Sequence, residues 1–353
     1  MNSTGRYDFH EIIRQFSAEK LNLVEQRDQT LERHAAYFVR LLQDYGVSTD
    51  YSNQQEVLAW MDQEFDNIRI AWEHFLEERA ISDITSCVEL LYQFFNIRSR
   101  FSEGITWFQS TINSLAPLPP NDPVRGMLQS RIGSLALRAR NNELADEMLS
   151  SSFEIFSILG HQEELAFCLI GLGGYHLRKK NYTQAQHCAQ QSLAAYQGLN
   201  DEKGQSYALY LIGLILSRIG NYSEAKAALR QALSFSRRVG DQRRLIAPLN
   251  VLGDIACTEG AFDEAEELFL EGLEISRALN DRFNQAILLN NLATIYQVRQ
   301  QYAKEEAMLR ESLEICRDIG DFDGEAVALN NLGEMAVVLG QFHEAIEFSR
   351  EAL

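Results

Sequence analysis

The chain is short of the residues that interrupt helices and of those that staple or anchor a fold. Its 353 residues contain only five prolines, so long helices can run without a break. The five cysteines (Cys87, Cys168, Cys188, Cys257 and Cys316) are odd in number, far apart and never in a C-x-x-C, which argues against a disulfide framework or a zinc ribbon and suits a reducing cytoplasm. Basic residues are outnumbered, 32 against 50 acidic, for a formal charge of −18. A sequence-independent grip on nucleic acid needs clustered Lys and Arg to release phosphate counterions, so direct nucleic-acid binding is not expected. No apolar run of about eighteen residues is present to span a membrane, and the first residues lack the basic-then-apolar order of a secretory signal.

What the chain has in quantity is apolar residues, 46%, arranged in a repeat. "NYTQAQHCAQQSL" (181–193), "NYSEAKAALRQAL" (221–233), "AFDEAEELFLEGL" (261–273), "QYAKEEAMLRESL" (301–313) and "QFHEAIEFSREAL" (341–353) each begin forty residues after the one before, and "NNELADEMLSSSF" (141–153) is a weaker copy in register. A small residue recurs at Gly133, Gly173, Gly213, Gly253, Ala293 and Gly333, and an aromatic at Tyr182, Tyr222, Phe262, Tyr302 and Phe342. Ala recurs at 145, 185, 225, 265 and 345, with Glu305 breaking the series. A second small position runs Ser152, Ser192, Ala232, Gly272, Ser312, Ala352.

Glycine inside a helix costs about 0.5–1 kcal/mol relative to alanine, so a periodic one marks a place where a neighbouring helix comes close. The aromatic at the start of the second helix is expected to fill the gap between the pair. Each unit closes on Gly160, Asn200, Gly240, Asn280 or Gly320, the residue types that tolerate a left-handed helix stop. Asp201, Asp241, Asp281 and Asp321 follow, placed to cap or turn into the next helix. Two helices of four to five turns account for about forty residues.

The order L-G-x-x-Y, then aromatic-x-x-A, resembles the tetratricopeptide repeat. Gly173, Gly213, Gly253 and Gly333 match the family's glycine in the first helix, and only Tyr296 keeps its tyrosine. The resemblance implies an all-α fold, a right-handed α-solenoid of helix hairpins. Five full repeats and a truncated sixth fill 121–353. A degenerate copy, "ELLYQFFNIRSRFSEGITWFQSTINSL" (89–115), and the linker "APLPPNDP" (116–123) occupy 81–120, and a helical region with helices near 9–25, 28–45 and 54–78 fills 1–80.

That front region resembles a junction in the signal-transduction ATPases with numerous domains, the STAND class, in their bacterial regulator branch. Tyr7, His10, Glu11, Arg14, Ala18 and Glu19 match the end of a winged helix. Trp60, Glu64, Asp66, Asn67, Arg69, Ala71 and Trp72 match the linker after it, and Arg98, Arg100, Glu103, Gly104 and Trp107 an element of the helical arm. His10 falls where the family carries a nucleotide-touching histidine, but Phe9 and Glu11 depart from that motif and no phosphate loop is present. The resemblance implies the sensor arm of such a regulator without its ATPase module. On this reading the chain is a fragment cut at both ends, and its uncapped C-terminal end is a candidate surface for self-association.

Candidate binding residues follow from the repeat. Arg138, Arg178 and Arg218 recur forty apart late in the first helix, the helix that lines the concave groove in this fold. Stacked guanidiniums would attract carboxylates or phosphates, whereas arginine near a helix C-terminus also simply complements the dipole. Asn250, Asn290 and Asn330 share a register, with Asn291 and Asn331 adjoining two of them. Amides in a row can pair with an extended peptide backbone, or equally with one another between helices.

Other motifs carry less. "GLGG" (171–174) lies within a helix pattern with no G-K-[ST] behind it. His176, His187 and Cys188 match no metal-ligand spacing, and Pro248 is read near a helix start. No catalytic constellation stands out. The expectation is a cytoplasmic, non-catalytic binding module without metal or cofactor, taking a peptide, a protein or a small ligand in its groove. It would be either a STAND sensor arm or a free-standing scaffold.

Overall fold

The structure, a computed structural model, describes residues 27–47 and 54–352. The expected helix at 9–25, and Tyr7, His10, Glu11, Arg14, Ala18 and Glu19, lie outside them. The described residues form sixteen helices and no strand. Contacts divide the chain into two compact units, Met1–Val47 with Ala59–Leu90 and Ser48–Leu58 with Leu91–Leu353.

The first unit contains α1 (Arg27–Val47), most of α2 (Gln54–Glu77) and the first turns of α3 (Ile81–Ile97). Its core is Ala35, Phe38, Val39 and Leu42 with Met61, Ile68, Ala71, Trp72 and Phe75, an i, i+3, i+4 pattern on both helices. Trp60 stacks on Phe38 with centroids 6.2 Å apart. Of the linker motif, Ala71 and Trp72 are therefore core residues. Asn67 donates to Glu64 (2.7 Å) and Arg69 to Asp66 (2.9 Å), bonds within one helix face.

In the second unit, α4 (Phe101–Leu115) is followed by the proline-rich linker and then by six helix pairs: α5 (Pro123–Arg138) with α6 (Asn142–Leu159), α7 (Gln162–Arg178) with α8 (Tyr182–Gly198), α9 (Glu202–Arg218) with α10 (Tyr222–Val239), α11 (Arg243–Thr258) with α12 (Phe262–Ala278), α13 (Arg282–Val298) with α14 (Tyr302–Ile319), and α15 (Phe322–Val338) with α16 (Phe342–Glu351). Asp122 starts the series, accepting from the Val124 amide (2.8 Å) with Pro123 at the first helical position. Each helix packs on its partner and on the next helix in the chain. First helices also touch the first helices of adjacent pairs, whereas second helices make no comparable contact, so the first helices form the inner wall of a solenoid.

The repeat positions explain the interlock. A Cβ on Gly133 would lie 2.6 Å from Leu149, one on Gly213 2.6 Å from Leu229 and one on Gly253 2.4 Å from Phe269, each in the partner helix. The recurrent alanines, Ala145, Ala185, Ala225 and Ala265, are fully buried. Ser152, Ser192 and Ser312 each donate to a first-helix carbonyl 26 residues earlier, at Gly126 (2.7 Å), Ala166 (2.9 Å) and Ala286 (3.0 Å). Gly160, Asn200, Gly240, Asn280 and Gly320 all take the expected positive φ, between 52° and 78°. On the outer side Arg237–Glu271, Arg277–Glu311 and Arg317–Glu351 repeat one ion pair at the same stride, all exposed and each worth about 0–1 kcal/mol.

Three positions depart from the pattern. Glu305, in the alanine register, is 1% exposed and leaves Oε2 without a partner, and burial raises its pKa above the ordinary carboxylate value. Pro248 is the sixth residue of its helix and not a first-turn proline, because α11 already starts at Arg243. Of the four aspartates, Asp281 and Asp321 accept from the Asn284 and Gly324 amides (3.2 Å each), whereas Asp201 makes no side-chain cap bond.

The glycine notch is testable against a glycine outside it. Gly253→Ala must displace Phe269 and should lower stability by about 1–3 kcal/mol. Gly198→Ala, with open space around its Cβ, should be neutral or stabilising by up to ~1 kcal/mol. Urea unfolding of the two variants side by side measures both.

Candidate functional site

All the predicted site residues stand on first helices, and the structure separates them into a buried junction, a rim and an amide ladder. Arg138 ends α5. Its guanidinium carbon lies 4.3 Å from the Phe283 ring centroid and 5.4 Å from that of Phe101, and Phe101 and Phe283 meet edge to face at 5.6 Å. These contacts join α4 and α5 to the start of α13, more than 140 residues away. Around them Arg98 donates to the Leu279 carbonyl, the Phe283 amide donates to Ser99 Oγ (3.2 Å), and Arg140 pairs with Asp323 (2.6 Å). The solenoid is thus clasped, first pair to fifth and sixth.

Arg178 belongs to the rim of this clasp. It is exposed, donates to the Leu137 carbonyl at the end of the preceding first helix, and lies within electrostatic reach of Arg140 and Asp323. That bond gives a carbonyl at the C-terminus of the neighbouring helix a charged donor. Burial, with Arg140 adding, lowers its pKa, and Asp323 opposes. Arg218 is exposed, and its charge acts on Asp254 and Tyr210.

Tyr210 is the meeting point. It is stacked nearly parallel to Tyr207 at 6.3 Å, and both Arg138 and Arg218 act on it electrostatically. Burial pushes its hydroxyl up to about 12, with Tyr207 adding and the two arginines opposing. Arg244 lies over the Tyr207 ring at 4.9 Å and pairs with Asp241 (2.9 Å). Two of the three ladder arginines therefore act electrostatically on one tyrosine.

The asparagines form inter-unit bonds. Asn291 donates to Asn250 Oδ1 (2.8 Å) and Asp254 Oδ1 (3.2 Å), and Asn331 donates to Asn290 Oδ1 (3.3 Å). Asn290 is 9% exposed and donates to Ser312 Oγ (2.6 Å), which itself donates to the Ala286 carbonyl. Asn330 is exposed. Burial pushes the Asp254 carboxyl up to about 6, and Arg218 pulls it back. Tyr207, Tyr210, Asp254 and Arg243 are absent from the sequence reading. Tyr210 shares the Asn250 register and Asp254 sits one turn on from it, so the register itself held the signal, hidden by the change of residue type.

Away from this wall, Arg131 and Glu164 make a buried bidentate ion pair (2.6 and 2.9 Å), with Phe167 4.0 Å from the guanidinium carbon. Gly171, Gly173 and Gly174 all lie within α7. His176 packs on Tyr175 at 5.3 Å, and among the described residues no three His, Cys, Asp or Glu side chains group to hold a metal.

Comparison with known proteins places this geometry. The family profile described as tetratricopeptide repeat matches residues 125–198, 204–278 and 284–353, together more than half of the chain. No curated protein sequence matches significantly. Among solved structures, a Rap protein complexed with competence and sporulation factor is similar over 92% of this chain and 97% of its own, at 14% identity and a TM-score of 0.59. The apo form of RapI is similar over 74% and 97%, at 14% and 0.53. A STAND protein with a tetratricopeptide repeat sensor from Pyrococcus horikoshii is similar over 98% of this chain and 55% of its own, at 14% and 0.54.

Two predictions follow from the amides and the carboxyl. Asn290→Ala removes the bonds to Ser312 and Asn331 and should cost about 1–2 kcal/mol in urea unfolding, whereas Asn330→Ala should stay within ~0.5 kcal/mol. Asp254 has a folded pKa above its unfolded one, so its acid form favours folding and its ionisation opposes it. Asp254→Asn should therefore stabilise the protein at pH 7.5 by about 1–2 kcal/mol, allowing for its partial exposure. The gain should fade as the pH is lowered from about 6 to below 4.

Proposed function

The chain belongs to the tetratricopeptide-repeat family, and we propose that it is a non-catalytic binding arm that takes up a peptide or protein segment along its first-helix wall. One observation carries the reading. Successive first helices line up edge to edge, so guanidinium, tyrosine, amide and carboxyl groups of four units meet on a single surface. Such a surface offers flat aromatic area, amide donors and acceptors for an extended backbone, and positive charge in a protein of net −18. A ligand with acidic groups is attracted to those arginines. No cofactor is needed for this role, and the compartment that suits the free thiols is the cytoplasm.

The likeness to a STAND protein with a tetratricopeptide repeat sensor, together with the Trp60–Trp72 and Arg98–Trp107 elements, favours a sensor arm of a STAND-type bacterial regulator over a free-standing scaffold. A ligand would then act by its differential affinity for two packings of the arm against an ATPase module. The likeness to a Rap protein complexed with competence and sporulation factor supports a ligand-binding role for such a fold. An ATPase module encoded in the same reading frame would support the sensor arm, and its absence there would leave the scaffold.

Arrays of random peptides probed with the purified protein test the binding surface. Wild type should retain a subset enriched in acidic residues. Tyr210→Ala combined with Arg218→Glu should weaken that retention about 10-fold or more, as expected when an aromatic anchor and a charge partner are lost together. Equal retention by the variant would remove the wall as the binding surface.

A further inference from the structure

Arg138 and Arg243 present an unusual pair of guanidiniums. Arg138 is held between the Phe101 and Phe283 rings, yet its Nε and Nη2 are both buried and have no hydrogen-bond partner. Nε of Arg243 is buried and unpartnered as well. The Nε–Nη2 edge is the side of the guanidinium that presents two parallel donors, the fork that two oxygens of one anion engage. Buried polar groups in folded proteins are almost always paired, and an open two-donor edge asks for a partner with two acceptors.

The two arginines are also neighbours of the same sign. Arg243 adds to the lowering that burial imposes on the Arg138 pKa, and Asp281 opposes it. Asp281 is itself committed, accepting from the Asn284 amide (3.2 Å) and side chain (2.7 Å). Moreover, Arg243 and Arg244 open α11 with no acidic residue in its first turn, so two cations stand at the positive end of a helix dipole. Arg244 has Asp241 as a partner, whereas Arg243 has none among the described residues. Tyr207 and Tyr210 act electrostatically on Arg138 as well, both favouring its charge.

We propose that Arg138 and Arg243 together form an oxyanion site on the inner wall, in which a carboxylate or phosphate group of the ligand bridges the unpartnered Nε–Nη2 edge of Arg138 on α5 and the unpartnered Nε of Arg243 on α11. The site deepens the binding-arm reading and rests on it. The bridging anion joins a helix of the first pair to one of the fourth, and it cancels a repulsion that otherwise works against the clasp. Its chemistry is that of any two-oxygen anion, so the source is either an acidic peptide group or a phosphorylated ligand.

Thermal unfolding with two probes, glutarate and inorganic phosphate, each against sodium chloride at matched ionic strength, tests it. Wild type should show a saturable rise in midpoint of roughly 2–4 °C with at least one probe. Glutarate alone points to a peptide carboxylate, phosphate alone to a phosphorylated group, and both to the shared chemistry. Arg138→Gln and, separately, Arg243→Gln should abolish the saturable part. As a readout independent of the variants' folding, an arginine Nε–H resonance of the wild type should shift with the same concentration dependence. A rise no larger than in chloride, or one that survives both substitutions, overturns the site. Peptide retention through Tyr210 and Arg218 can persist in that event, so failure of the oxyanion site is distinguishable from failure of the binding wall.

Discussion

The structure of the second unit rests on one packing contact, a large side chain of the second helix pressed into a glycine notch of the first. Leu149 on Gly133, Leu229 on Gly213 and Phe269 on Gly253 bring paired helices closer than any Cβ would allow. With that distance fixed, the alanine face of the second helix is buried and its serine hydroxyl reaches a carbonyl across the pair. The left-handed residue at the end of each unit then sets where the next pair begins. Repetition of this geometry puts equivalent positions of successive first helices side by side, and the binding wall is a by-product of that alignment.

The wall is less regular than the scaffold that presents it. At one register it carries Tyr210, Asn250, Asn290 and Asn330 in turn, with Asn291 next to Asn290 and Asp254 a turn on from Asn250. The amides hold adjacent units to each other, through Asn291 to Asn250 and Asn331 to Asn290, so an incoming backbone would compete with bonds already made. The tyrosines and arginines are different. Their rings are stacked and their charges are only partly answered, which leaves more of their interaction potential for a ligand. The likeness to distant solved structures establishes the fold, and the residues on this wall are what distinguish the chain within it.

The forty-residue stride, the helix stops and the glycine and alanine faces were all legible in the sequence, because each is enforced by local geometry and repeated several times. Glu305 was visible as an exception, though not that its carboxylate is buried with an unpartnered oxygen. The site was legible only in part. Arg138, Arg178 and Arg218 are identical in register and different in surroundings: one is stacked between phenylalanines, one caps a neighbouring helix, and one is exposed beside Asp254 and Tyr210. Periodicity assigns a residue to a face, but those differences come from contacts across a superhelical turn. Nothing in the spacing of Ser99 and Phe283, or of Arg140 and Asp323, announces that they meet.

Those meetings change the kind of polymer the solenoid is. A stack in which each unit knows only its neighbours behaves as a linear array that can fray from either end. Tying residues 98–101 to 279–283 makes the intervening stretch a closed circuit. Joining two points about 180 residues apart in a disordered chain would cost several kcal/mol of loop entropy, of order (3/2)RT ln n. Across an arc that is already rigid the same joint costs little, so it forms last and only on an intact arc. Every pair inside the circuit thereby becomes responsible for the joint, and damage to any one of them is registered at a place it does not touch.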